Sequence, residues 1–162
     1  MKTAIVYYSL SGNTGYAAEK ISEELGADLI SVDPVKAYPD TGFKKFLLGG
    51  KGALMAEAPK LKPYTFEGDR YERVIFGFPL WAGSITPPIR SFIQENKAAL
   101  TGKRFALFIC CSGGSTEKAA EKLRELLGVN AFDASISLVD PKKHPDSAES
   151  PIHSFCETLK QG

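Results

Sequence analysis

Apolar residues along the chain fall into short continuous runs separated by stretches where they recur every three or four positions, and the two spacings alternate throughout. Residues 3–8 (Thr-Ala-Ile-Val-Tyr-Tyr) are the first run, rich in β-branched and aromatic residues, the pattern of a strand buried on both faces. Helical spacing follows, with Ala17, Ala18, Ile21 and Leu25 on one face and Gly26 to end the helix. Residues 29–32 predict a second strand, closed by Asp33-Pro34, and the runs at 74–78, 105–110 and 131–139 predict three more. The last of these alternates from Ser135, as an edge strand does. Between them, Thr86-Pro87-Pro88 opens a helix with Ile89, Phe92 and Ile93 inward, since proline suits the first turn after a threonine. A further helix carries Ala119, Ala120, Leu123, Leu126 and Leu127 and stops at Gly128; the last begins at about Pro151, with Ile152, Phe155 and Leu159 inward.

This alternation predicts an α/β fold, a doubly wound parallel sheet with helices on both faces. The 105–110 run is the most apolar and belongs near the sheet centre. With the strands in the order 2-1-3-4-5, the first, third and fourth are neighbours, and the loops at their carboxyl ends line one crevice beside the topological switch point. Residues 35–72 interrupt the pattern, mixing aromatics (Tyr38, Phe43, Phe46, Tyr64, Phe66, Tyr71) with glycines and lysines; 43–48 and 53–58 each suit a short helix. A long excursion inside a compact domain is functional or partly helical. The 162 residues, 43% hydrophobic and 24% charged, read as one domain.

The first strand-end loop, Ser9-Leu10-Ser11-Gly12-Asn13-Thr14, leads into a helix. The unpaired N–H groups and positive dipole end of that helix favour an anion. Ser9, Ser11 and Thr14 add hydroxyls, Asn13 an amide, and Gly12 lets a ligand approach the backbone. Many neutral donors without Lys or Arg suit a terminal phosphate monoester of charge about −2. The second loop, Pro79-Leu80-Trp81-Ala82-Gly83, holds the only tryptophan, which has no evident core position in the pattern and so offers its face to a planar ligand. In the third, Cys111-Ser112-Gly113-Gly114, the glycines open backbone N–H groups to a polar ring edge, and Cys111 fills space beside the ligand.

A net charge of +1 gives no broad basic surface for nucleic acid, although lysines gather between residues 34 and 64. Met1 and Lys2 lead directly into a strand with no signal core or membrane-length apolar run, so the expectation is a cytoplasmic location without membrane insertion. Cys110, Cys111 and Cys156 have no disulfide or metal spacing and suit free thiols.

Other chemistries on this architecture fail at particular residues. A low-molecular-weight tyrosine phosphatase needs an arginine six positions after its cysteine, where Cys110 and Cys111 meet Thr116 and Glu117. A receiver domain needs an aspartate where the third strand ends in Phe78, and Gly52 replaces the hydroxyl residue that would follow Gly50-Lys51 in a triphosphate loop. Asp33 follows Gly12 at about the distance of a ribose-binding acid, but the first turn lacks the three-glycine spacing of a dinucleotide fold, so a mononucleotide is favoured.

Tyr8 to Thr14 resembles the FMN-phosphate loop of flavodoxins; Gly77-Phe78-Pro79-Leu80-Trp81-Ala82-Gly83, followed by Pro87-Pro88-Ile89, resembles their second, ring-contacting loop, and Ser112-Gly113-Gly114 their third. The resemblance runs over nearly the whole chain. It implies a flavodoxin-like three-layer sandwich with a five-stranded parallel sheet of order 2-1-3-4-5, non-covalent FMN, and electron transfer with partner proteins, a reductase and an acceptor. It also implies that Ser9, Ser11, Asn13 and Thr14 hold the phosphate, that Trp81 and its neighbours contact the isoalloxazine, and that Ser112 to Gly114 meet its pyrimidine edge. For a flavin, Ala82 to Ser84 is the candidate for redox tuning, because a peptide beside glycine turns over at low cost. The third loop has no tyrosine to cover the outer ring face, which is therefore open or covered from the excursion by Phe43, Phe46 or Tyr64. An electron carrier is the first reading and an FMN-dependent NAD(P)H:acceptor oxidoreductase, of quinone type, the alternative; a scaffold without cofactor is disfavoured by the complete phosphate loop.

Overall fold

The structure is a computed structural model and describes residues 1–39 and 57–162. Five strands form one parallel sheet: β1 (Thr3–Tyr7), β2 (Asp28–Ser31), β3 (Arg73–Pro79), β4 (Arg104–Cys111) and β5 (Ser135–Val139), in the order β2-β1-β3-β4-β5. Among the described residues, the α-helices are α1 (Asn13–Leu25), α2 (Pro87–Glu95), the single turn α3 (Lys97–Leu100), α4 (Glu117–Leu127) and α5 (Pro145–Gln161). The strand order and the layering are those the alternating pattern predicts.

Alternation along the central strands divides the core in two. Ala4 and Val6 of β1, Val74, Phe76 and Phe78 of β3, and Phe105, Leu107 and Ile109 of β4 pack with Ile89 and Phe92 of α2 and Ala119 and Leu123 of α4. On the other face, Ile5, Ile75, Ala106 and Phe108 pack with Ala17, Ala18 and Ile21 of α1 and Ile152, Phe155 and Leu159 of α5. Side chains of period two in the strands and about 3.6 in the helices produce both layers from one pattern. Gly77 is required within β3: a β-carbon there would lie 2.0 Å from Cζ of Phe108, whose ring crosses the strand backbone.

Two boundaries differ from the expected ones. Residues 131–134 are not strand: the regular ladder to β4 begins at Ser135, and ahead of it Asp133 N–H donates to the Phe105 carbonyl and Leu107 N–H to the Ala134 carbonyl, while the Asp133 carboxylate accepts from Arg73 Nε at 2.7 Å and Arg104 Nε at 3.1 Å. Arg73 is only 2% exposed, and a buried guanidinium needs such a partner. The last helix starts at Pro145 and carries Pro151 in its interior, so the proline at its first turn is the earlier of the two. Residues 43–48 and most of 53–58 lie outside the described residues; Glu57 and Ala58 are not helical.

Candidate functional site

The loops after β1, β3 and β4 meet at the carboxyl edge of the sheet around a crevice of about 420 Å3. Its size suits a small organic ligand, and the switch point between β1 and β3 is where an open α/β sheet binds one. Leu10, Ser11 and Asn13 line it from the first loop, Pro79, Leu80, Trp81 and Ala82 from the second, and Cys111, Ser112 and Gly113 from the third. The remaining expected site residues, Ser9, Gly12, Thr14, Gly83 and Gly114, belong to the same loops without lining the crevice. Cys110 and Asp140 also line it and were not expected.

The first turn is built by its own side chains. Ser9 Oγ accepts from Gly15 N–H at 3.0 Å, and the Gly12 carbonyl accepts from Tyr16 N–H at 3.0 Å. The N–H groups of Asn13 and Thr14, ahead of these, are the open donors of the α1 N-terminus. Gly12 caps that terminus with φ 95°, the left-handed region that favours glycine. Thr14 is 1% exposed, and its hydroxyl faces the Cys110 thiol; burial nevertheless pushes that thiol up to about 12. Ser11 is the exposed hydroxyl of the group.

Trp81 corrects one expectation. It has a core position, 8% exposed, with Tyr8 edge-on at 5.5 Å and Tyr38 edge-on at 5.2 Å between ring centroids. The tryptophan is thus clamped by aromatic neighbours while part of it forms a crevice wall. Burial raises the Tyr8 hydroxyl well above its ordinary value, with the Tyr38 phenol and the Asp33 carboxylate adding to the rise. Tyr38 is the described residue of the excursion that reaches Trp81. Tyr64, one of the expected covers, lies instead against Phe92 and donates to Glu95 at 2.6 Å; Phe43 and Phe46 lie outside the described residues.

The second loop closes on itself after Trp81. Ser84 N–H donates to the Trp81 carbonyl at 2.9 Å, and φ is positive at both central residues, 48° at Ala82 and 64° at Gly83. This is the signature of a type I′ turn. Turning over the Ala82–Gly83 peptide leads to type II′, whose first central position belongs to glycine. Ala82 occupies that position, so turning over this peptide costs more than it would with glycine there.

Asp140 comes from the loop after β5. Its carboxylate accepts from Ser112 Oγ at 2.8 Å and more distantly from Asn13 Nδ2 at 3.5 Å, joining the first and third loops. The signal in the sequence is slight: an aspartate before Pro141, 127 positions from Asn13.

Strand order, switch point and crevice together define a flavodoxin-type nucleotide-binding architecture. A family model described as Flavodoxin matches residues 2–138, and the chain belongs to the flavodoxin family. No curated protein matches the sequence. Among solved structures, the chain is similar to a flavoprotein in complex with FMN from Lactobacillus acidophilus NCFM, at 22% identity and TM-score 0.72, covering 89% of this chain and 97% of that one. It is also similar to a flavodoxin from the domain Archaea, at 20% identity and TM-score 0.56 over 99% of each chain. A third similar structure is Trp repressor binding protein from Bacillus subtilis, at 16% identity and TM-score 0.59, covering 95% of this chain and 98% of that one.

Proposed function

We propose that this chain is an FMN-binding electron carrier that passes electrons between a reductase and an acceptor protein. The observation that carries the reading is the convergence of the three strand-end loops on one crevice, with open helix donors and Ser11 at one side and the clamped Trp81 at another. The donor set fits a terminal phosphate, and the crevice fits a planar ring. A similar fold is known in complex with FMN. When bound, FMN supplies one- or two-electron chemistry through its isoalloxazine ring.

The chain's own residues then divide the work. The Asn13 and Thr14 N–H groups and the Ser11 hydroxyl hold the phosphate, each hydrogen bond to a charged oxygen contributing about 1.5 to 3 kcal/mol. Trp81 orients the ring, kept in place by Tyr8 and Tyr38. Gly113 and Gly114, with φ 134° and 90°, present their backbone to its polar edge in conformations that side chains resist. Ala82, exposed at the crevice mouth, leaves an apolar approach for a partner.

The alternative is an FMN-dependent NAD(P)H:acceptor oxidoreductase, which differs in accepting hydride directly. Anaerobic mixing of the FMN-loaded protein with NADPH separates the two. A carrier keeps its yellow colour for minutes and bleaches on addition of a flavodoxin reductase; rapid bleaching by NADPH alone overturns the carrier reading.

A further inference from the structure

The loop after β5 brings a cation to the first turn from outside the three strand-end loops. Asp140 begins it in the left-handed region at φ 41°, uncommon for a residue other than glycine. The Asp140 N–H donates to the Cys111 carbonyl at 2.9 Å, and its own carbonyl accepts from Lys143 and His144 N–H, both at 2.9 Å. One residue beyond Pro141, Lys142 N–H donates to Asn13 Oδ1 at 3.1 Å. These contacts hold the loop against the start of α1, and the Lys142 side chain lies along Gly12. A β-carbon on Gly12 would sit 3.0 Å from Lys142 Nζ and 3.4 Å from its Cδ.

The charges in the crevice make this position consequential. Among the described residues lining it, Asp140 alone carries an ionisable carboxylate. A phosphate monoester adds a charge of about −2, against which the helix terminus offers roughly +0.5. Among the described residues, no carboxylate lies within ion-pair distance of the Lys142 ammonium. The ammonium therefore stands beside the turn without an acidic partner there, and a phosphate on that turn would be within its reach.

We infer that Lys142 is the cationic contact of the phosphate subsite, its ammonium donating to a terminal phosphate monoester seated on the turn from Ser9 to Thr14 and offsetting the Asp140 carboxylate. This deepens the FMN reading and rests on it. The hydroxyls and open N–H groups fix the phosphate geometry, and Lys142 supplies the countercharge from a separate element, some 130 positions away. Gly12 then has a second role besides its φ, since a β-carbon there would press against the lysine side chain.

The test compares FMN with riboflavin, which has the same ring and no phosphate. Flavin-free wild type, Lys142→Met and Lys142→Arg are titrated with each at low and high sodium chloride. Lys142→Met is expected to weaken FMN about 5- to 30-fold at low salt and to leave riboflavin unchanged, while Lys142→Arg stays close to wild type. The salt dependence of FMN binding should flatten in Lys142→Met, because the screened interaction is gone. Thermal unfolding confirms that this exposed substitution keeps the fold. Wild-type binding of FMN with an unchanged constant in Lys142→Met, or an equal loss of FMN and riboflavin, overturns the assignment of Lys142 alone. Failure of the wild type to take up FMN overturns the cofactor reading and this inference with it.

Discussion

The three cysteines occupy three environments, and their reactivity follows from burial. Cys110 and Cys156 are buried, and burial pushes each thiol up to about 12, while Cys111 stands half-buried in the crevice wall. The two raised thiols hold their protons more tightly folded than unfolded. Their contribution to stability is therefore complete below the ordinary thiol range and declines as pH rises through it toward 12. A thiol reagent such as DTNB at about pH 8 should titrate one cysteine in the native protein and all three after denaturation, and FMN should slow the native reaction. Modification of two or three native thiols would contradict this placement.

Also at the scale of single residues, Trp81 lines the crevice formed by the three loops, while its surroundings differ from those expected of it. The reading from sequence lacked Tyr38, which lies in the stretch where hydrophobic periodicity breaks down. The same gap explains Tyr64: an aromatic in an excursion carries no signal of whether it faces α2 or the crevice. The structure places it on α2, beside Phe92 and Glu95.

Among the elements, β3 and β4 determine how closely the second and third loops approach, and their closest packing is at Gly77. Gly77→Ala drives a methyl group into the Phe108 ring at the strand backbone, where overpacking costs typically about 1 to 3 kcal/mol and here should reach the upper end. Urea unfolding should show a lower midpoint at similar slope, together with weaker FMN binding, since the loop from Pro79 begins two residues later. A midpoint equal to wild type would show that the sheet absorbs the methyl without strain.

Element identity was legible wherever burial imposes a period. All five strands and the main described helices lie where the apolar pattern puts them, because each must bury a face. Boundaries were less legible. Residues 131–134 look strand-like, yet the regular ladder starts at Ser135, and the Asp133 side chain meets Arg73, a partner 60 positions away that the pattern does not show. The early start of α5 was hidden because either Pro145 or Pro151 suits a first turn, and only packing of Ala148 into the core distinguishes them.

For the whole molecule, the site was legible to the extent that it is local. Each of the three loops has its own chemistry in consecutive residues, so hydroxyls, glycines and an aromatic announce it. The position of Asp140 in the crevice wall, and of Lys142 beside Asn13, depends on the β4–β5 pairing that brings the end of β5 beside Cys111. No local pattern encodes that. A crevice lined by one acid, with a lysine beside it and a net charge of +1 for the chain, also differs from a surface that steers partners by strong charge alone.

In the proposed function the crevice holds a flavin mononucleotide by both its phosphate and its ring. Titration of flavin-free protein into FMN and, separately, into riboflavin, followed by flavin fluorescence, tests this most directly. One equivalent of protein should quench FMN, and riboflavin should bind at least about tenfold more weakly, since it lacks hydrogen bonds to a charged phosphate. FMN fluorescence unchanged by the protein, or equal affinity for FMN and riboflavin, would contradict it.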